Sequence, residues 1–139
     1  MIIVDTGFLY ALLDRDDAWH ARAVRASVAV DEGWITTWPV LTEATHLANR
    51  WLGPSAAHAL MMEVAAGDIG VWNLPAESVA RLPALMKRYA DLPMDLADAS
   101  LVLLAEALGH GRILTTDERD FRTYRWKARA PFENLLATF

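Results

Sequence analysis

Cysteine is absent from this sequence, which excludes disulfide bridges and thiolate metal sites together. No run of about 20 apolar residues occurs, so no membrane-spanning helix is expected. The opening Met-Ile-Ile-Val-Asp has neither a basic stretch nor the small-residue cleavage site of a secretory leader. With the missing cysteines, this makes a cytoplasmic location the expectation. Lysine is scarce, with Lys87 and Lys127 alone, and no repeat, linker or low-complexity tract is visible. What remains is a chain of 139 residues that is 54% apolar. That is enough to fill a core, and it fits one domain over residues 1–139.

Hydrophobic spacing divides the chain into alternating strands and helices. Ile2 to Asp5 reads as a short buried strand, and Gly7 to Leu13 follows with helical spacing. Asp16 or Asp17 is expected to cap a helix through about Ala29, because a carboxylate accepts the free N–H groups of a first turn. Trp34 to Thr36 reads as a second strand. A helix opens near Thr37 to Pro39 and runs to about Leu52, with proline tolerated in its first turn. Gly53-Pro54 stops it, and another helix covers roughly Ser55 to Ala66. Ile69 to Leu74 is a third strand. Glu77 to Ala90 is helical, kinked or broken at Pro83. Asp95 to Leu108 is a strongly apolar helix ended by Gly109 and Gly111. Arg112 to Leu114 forms a fourth strand and Tyr124 to Trp126 a fifth. Strands separated by helices imply parallel βαβ units. The expected fold is therefore α/β, a three-layer α/β/α sandwich around a parallel sheet of four or five strands.

Ligands of open α/β sheets bind beyond the carboxyl ends of the strands. Asp5 closes the first strand and Asp117 lies just past the fourth, after Thr115 and Thr116. A turn or cap aspartate explains either one singly, but two at strand ends point to a site. Glu43 borders the apolar stripe of its helix, with His46 and Arg50 on its own side; a boundary pair with Arg50 is the structural alternative. Asp98 stands in Leu96-Ala97-Asp98-Ala99-Ser100-Leu101, where nearly every neighbour is apolar or small. An ionised aspartate is seldom buried there without a partner or a metal. Asp95 shares its face and serves as a helix cap.

Carboxylates gathered in one pocket repel one another unless a cation joins them. Mg²⁺ or Mn²⁺ suits all-oxygen ligands, and such an ion supports phosphodiester hydrolysis without a covalent intermediate. A net charge of −5 argues against a nucleic-acid partner, but without Asp5, Glu43, Asp98 and Asp117 it falls to −1. Six basic residues between Arg112 and Arg129, against three acids, are expected to flank the pocket and meet a phosphate backbone.

These residues carry a family resemblance. Ile3-Val4-Asp5-Thr6-Gly7-Phe8-Leu9 resembles the opening motif of the PIN-domain family. Thr42-Glu43-Ala44 resembles its second motif, Leu96-Ala97-Asp98-Ala99 its third, and Thr115-Thr116-Asp117-Glu118-Arg119-Asp120-Phe121 its fourth. Asp17 to Ala23, with His20, is also similar. The ordered set spans the chain. The resemblance implies cleavage of single-stranded RNA with Mg²⁺ or Mn²⁺, catalytic roles for Asp5, Glu43, Asp98 and Asp117, and metal ligation by Asp5, Asp98 and Asp117. Thr6, Asp95, Thr115 and Asp120 fall to supporting positions. It further implies a VapC-type toxin with a small antitoxin partner, and a homodimer. The apolar helix of Ser55 to Ala66 is expected to be core, with lining an antitoxin groove as its alternative role.

Three other readings bear weighing. A haloacid-dehalogenase-like phosphatase needs a second aspartate two residues after the first, where Gly7 stands. A catalytically silent RNA-binding module of PIN fold is opposed by the retention of all four acids, and a protein-interaction scaffold anchored by the six tryptophans leaves Asp98 unexplained.

Overall fold

The computed structural model describes residues 1–139. Its centre is a five-stranded parallel sheet of β1 (Ile2–Val4), β2 (Trp34–Thr37), β3 (Ile69–Trp72), β4 (Arg112–Leu114) and β7 (Glu133–Asn134), in the order β3-β2-β1-β4-β7. β1 is central, and Ile2, Ile3 and Val4 have no exposed surface. A strand covered on both faces can be apolar throughout, which is why this run carries no alternation.

Eight-residue α1 (Thr6–Leu13) follows β1 directly, and α2 (His20–Ala29), α3 (Trp38–Trp51) and α4 (Pro54–Ala66) pack against it or one another. α5 (Arg81–Arg88) packs on α6 (Leu96–Leu108). Right-handed crossovers place these two groups on opposite faces of the sheet, giving three layers. α6 carries the densest apolar burial, with Ala99 to Ala105 all buried. Because β1 leads to β2 on one side and β3 leads back to β4 on the other, the strand order reverses between β1 and β4. Crevices at such reversals are where open α/β sheets bind ligands.

Four expectations need correction. The second helix starts at His20 without a side-chain cap, and Asp17 instead accepts the Trp19 N–H at 2.8 Å in the preceding turn. The break in the Glu77–Ala90 segment precedes Pro83, which sits inside the first turn of α5, where a proline costs no helical hydrogen bond. The segment after Asp117, to which the spacing assigns no element, forms a short helix, α7 (Glu118–Thr123). Tyr124 to Trp126 does not join the main sheet. β5 (Arg125–Trp126) pairs antiparallel with β6 (Ala130–Pro131), across a turn in which Lys127 and Ala128 have φ of 48° and 63°. The fifth strand is β7.

Gly109 ends α6 in the left-handed region at φ 79°, as a helix-terminating glycine does. Gly111 serves a different purpose. A Cβ there would stand 2.5 Å from Nε1 of Trp126 and 3.1 Å from the Pro131 carbonyl, so the β5–β6 hairpin lies directly on it. Gly111→Ala is therefore expected to destabilise the protein by about 1–3 kcal/mol, the usual cost of overpacking. Urea denaturation checks this, and an unchanged midpoint would mean that the hairpin moves aside freely.

Candidate active site

The carboxyl edge of the sheet holds a cleft of about 340 Å³, lined by Asp5, Glu43, Asp95, Asp98, Asp117 and Asp120. No arginine or lysine lines it. β1 delivers Asp5, whose Oδ1 accepts the Phe8 N–H at 2.9 Å and thereby caps α1. Its Oδ2 accepts the Thr115 hydroxyl. That hydroxyl also accepts the Asp117 N–H at 2.9 Å, so one buried threonine links the acids at the ends of β1 and β4. Asp117 in turn caps α7 by accepting the Asp120 N–H at 3.1 Å. Asp95 caps α6 by accepting the Asp98 N–H at 2.8 Å. Capping thus explains the local placement of three of the acids, and the short strands explain why their caps meet.

Burial and mutual repulsion set the electrostatics. Burial above all pushes the Asp5 carboxyl up to about 7, against its hydrogen bonds from Thr115 and Phe8, with Asp117 and Glu43 adding repulsion. Asp98 also rises to about 7, through burial first and then the charge of Asp95, opposed by a hydrogen bond from Tyr124. Glu43 is raised by burial and by Asp95, opposed by the Thr6 side chain. Asp117 is raised chiefly by burial. Several carboxylates held against ionisation in one cleft form a site that favours a cation.

The donor set fits a hard divalent ion, because every titratable lining group is a carboxylate. No group of three or more His, Asp or Glu side chains is arranged to hold a metal by itself. Mg²⁺ keeps several waters and needs only one or two direct carboxylates, so an acidic cleft of this size is compatible with it.

A family model for the PIN domain matches residues 2–127. The chain belongs to the PIN domain family. Among its relatives, the PIN domain described here is 27% identical over 124 residues to ribonuclease VapC26 of Mycobacterium tuberculosis, covering 89% of this chain and 92% of that protein. Its fold resembles the crystal structure of VapC20 from the same organism, described as a sarcin–ricin loop cleaving toxin. The TM-score is 0.80 at 22% identity, covering 90% of this chain and 97% of that one.

In this PIN domain, Asp5, Glu43, Asp98 and Asp117 share the cleft with Thr6, Asp95 and Asp120, while Thr115 lies buried beneath Asp5. Glu43 has no arginine partner, and Arg50 lies over the Trp51 ring, 5.1 Å from its centroid. Asp98 is half-buried rather than enclosed, because it faces the cleft from the first turn of α6. The basic stretch does not stay together. Arg112 begins β4, at the opposite edge of the sheet, and forks onto Glu32 at 2.7 and 3.0 Å. Arg125 donates to the carbonyls of Arg122, Thr123 and Tyr124, closing the end of α7.

Four contributors to the cleft emerge only from the tertiary structure. Tyr124 is fully buried between Tyr89 and Phe121 and donates its hydroxyl to Asp98 Oδ2 at 3.0 Å. Asn134, on the unforeseen strand β7, brackets Thr115 by accepting its N–H and donating to its carbonyl. Gly7 lets Thr116 close on α1, since a Cβ there would stand 2.1 Å from the Thr116 hydroxyl and 3.3 Å from its Cβ. Thr116 lines the cleft. Of these, only Gly7 and Thr116 lie within motif segments.

Proposed function

We propose that this PIN domain is a Mg²⁺- or Mn²⁺-dependent endoribonuclease that hydrolyses phosphodiester bonds of single-stranded RNA, as a VapC-type toxin. The observation that carries the reading is the meeting of Asp5, Glu43, Asp98 and Asp117 in one cleft without a basic residue, in a PIN domain with a relative named as a ribonuclease.

In this reading Asp5, Asp98 and Asp117 hold the ion. When bound, it supplies Lewis acidity toward a phosphate oxygen and the attacking water. Thr115 fixes the Asp5 carboxylate from below, and Tyr124 holds Oδ2 of Asp98. Glu43, raised by burial and Asp95, takes a proton from the attacking water on the α3 side. Asp95 and Asp120 line the cleft beside these ligands without needing to touch the ion, and Asp120 is paired with Arg119 at 3.2 Å.

For the partner we assign a small antitoxin, supported by an apolar groove of about 460 Å³ between α1, α2 and α4. Its walls include Leu9, Leu13, Val30, Trp34 and Leu60, and it suits the apolar face of a helix. A homodimer is the assembly proposed for the free protein.

The test is cleavage of single-stranded RNA by the purified protein. Full activity is expected in Mn²⁺ or Mg²⁺, with none in EDTA and little in Ca²⁺, whose larger irregular shell positions water less strictly. Robust cleavage in EDTA would rule out the metal mechanism.

A further inference from the structure

Beside the carboxylate cleft lies a second groove, of about 570 Å³, which shares Glu43, Asp95 and Ala97 with it. The remainder of its wall is Trp38, Pro39, Thr42, His46 and Leu96. α3 begins at Trp38 immediately after β2, so the indole stands at the same edge of the sheet as Asp5. Trp38 and Leu96 are 48% and 47% exposed and share one groove wall, so they form a patch rather than singly scattered apolar side chains. The ring is also held in place. Its Nε1–H donates to Asn73 Oδ1 at 2.8 Å, which satisfies its only polar group and fixes the ring plane.

We propose that Trp38 forms a base-stacking subsite, taking a nucleobase of the single-stranded RNA next to the scissile phosphate. The inference rests on the hydrolase reading above and adds to it where the substrate is gripped. The two grooves divide the nucleotide chemically. Acids on the cleft side repel a phosphate that has no metal to meet, whereas the indole, Pro39 and Leu96 offer an uncharged surface to a base. Trp38 precedes Glu43 by five residues, about 7.5 Å along a helix axis, a span that one nucleotide bridges. Stacking on an aromatic ring is sequence-tolerant. The subsite therefore supplies affinity and register rather than base identity.

The experiment measures binding of a short, fluorescein-labelled single-stranded RNA of mixed sequence by anisotropy, with Ca²⁺ replacing Mn²⁺. A parallel set of the same RNA carries one abasic site at each position in turn. Trp38→Leu is expected to weaken binding about ten- to hundredfold, the usual worth of a stacked base. One abasic position should weaken the wild type comparably and leave the variant unaffected. Asn73→Ala, which keeps the ring but frees it, should lose about two- to tenfold. Melting temperatures confirm folding; should Trp38→Leu fail to fold, the abasic series on wild type and Asn73→Ala decides the matter, because an abasic effect undiminished in Asn73→Ala would overturn the subsite.

Equal binding by folded Trp38→Leu and wild type, with cleavage intact in Mn²⁺, would overturn the subsite and leave the hydrolase reading standing. RNA binding with the abasic pattern but no cleavage in Mn²⁺ would do the reverse. A loss equal for intact and abasic RNA, with a change from dimer to monomer in sedimentation, would make Trp38 a seam between copies and overturn the subsite. No RNA binding by the wild type would overturn both.

Discussion

Asp98→Asn is expected to remove Mn²⁺-dependent RNA cleavage by at least about a hundredfold while leaving the metal-free protein as stable as wild type, or more so. Groups that merely support a ligand cost about 10- to 100-fold in metal affinity or activity, so loss of a proposed direct ligand should cost no less. The stability side follows from the environment. Asp98 is held against ionisation by burial first and by Asp95 second, so its charge is a cost to the metal-free fold. Asparagine keeps an oxygen to accept the Tyr124 hydroxyl, which lies 3.0 Å from Asp98 Oδ2, and removes that charge. The gain should be about 1 kcal/mol, an ordinary size for a point change; it should grow as pH rises above about 4, where the unfolded carboxyl ionises, and be complete above about 7. Tyr124→Phe makes the contrasting case, because it keeps the charge and removes its donor; it should weaken Mn²⁺ binding and lower the melting temperature in EDTA at alkaline pH. Melts in EDTA beside cleavage assays in Mn²⁺ separate the outcomes. A clear drop in melting temperature for Asp98→Asn together with retained cleavage would take Asp98 out of the site.

Stability in EDTA should fall as pH rises from about 4 to about 7, opposite to the trend of a protein whose acids are all salt-bridged. Asp5 and Asp98 are each raised to about 7 from 3.8. Within that window the unfolded chain has released protons that the folded chain still holds. The unfolded state then binds fewer protons, and stability decreases with pH. The decrease is complete once both carboxyls have ionised in the fold. Glu32 and Glu106 work the other way, because Arg112 and Arg81 lower them; their contribution is present above the ordinary glutamate range and fades on acidification. The metal-free melting temperature should therefore peak near about pH 4, where the two trends meet. Saturating Mn²⁺ requires deprotonated ligands, so its stabilisation should grow toward pH 8 and flatten or reverse the decline. A melting temperature in EDTA that climbs steadily to pH 8 would contradict the raised carboxyls, and with them the electrostatic case for a cation.

Much of the frame was legible along the chain, because its causes are local. An unbroken Ile2–Val4 run means a strand buried on both faces, and the apolar circumference of Leu96–Leu108 means a buried helix. Asp5, Asp95 and Asp117 each cap the helix that follows, a matter of three residues of reach. A parallel α/β order then places the ends of β1 and β4 at one edge, which brings Asp5 and Asp117 together from topology, while Glu43 and Asp98 joined them through the family resemblance. The surroundings of those acids depended on contacts between distant segments. β7 has two residues, too few to carry a pattern, and joins the sheet only because β4 offers a free edge. Tyr124 reaches Asp98 across 26 positions in sequence because α7 turns it into the core between Tyr89 and Phe121. Arg112 looked like part of a phosphate-binding stretch, yet the direction of β4 carries it to the far edge of the sheet and onto Glu32. Local hydrogen bonding and periodicity determined the elements and the identity of the acids. Only the tertiary structure decided which groups hold the acids in place and which charges stay away, since those depend on strand direction and on packing between residues far apart in the chain.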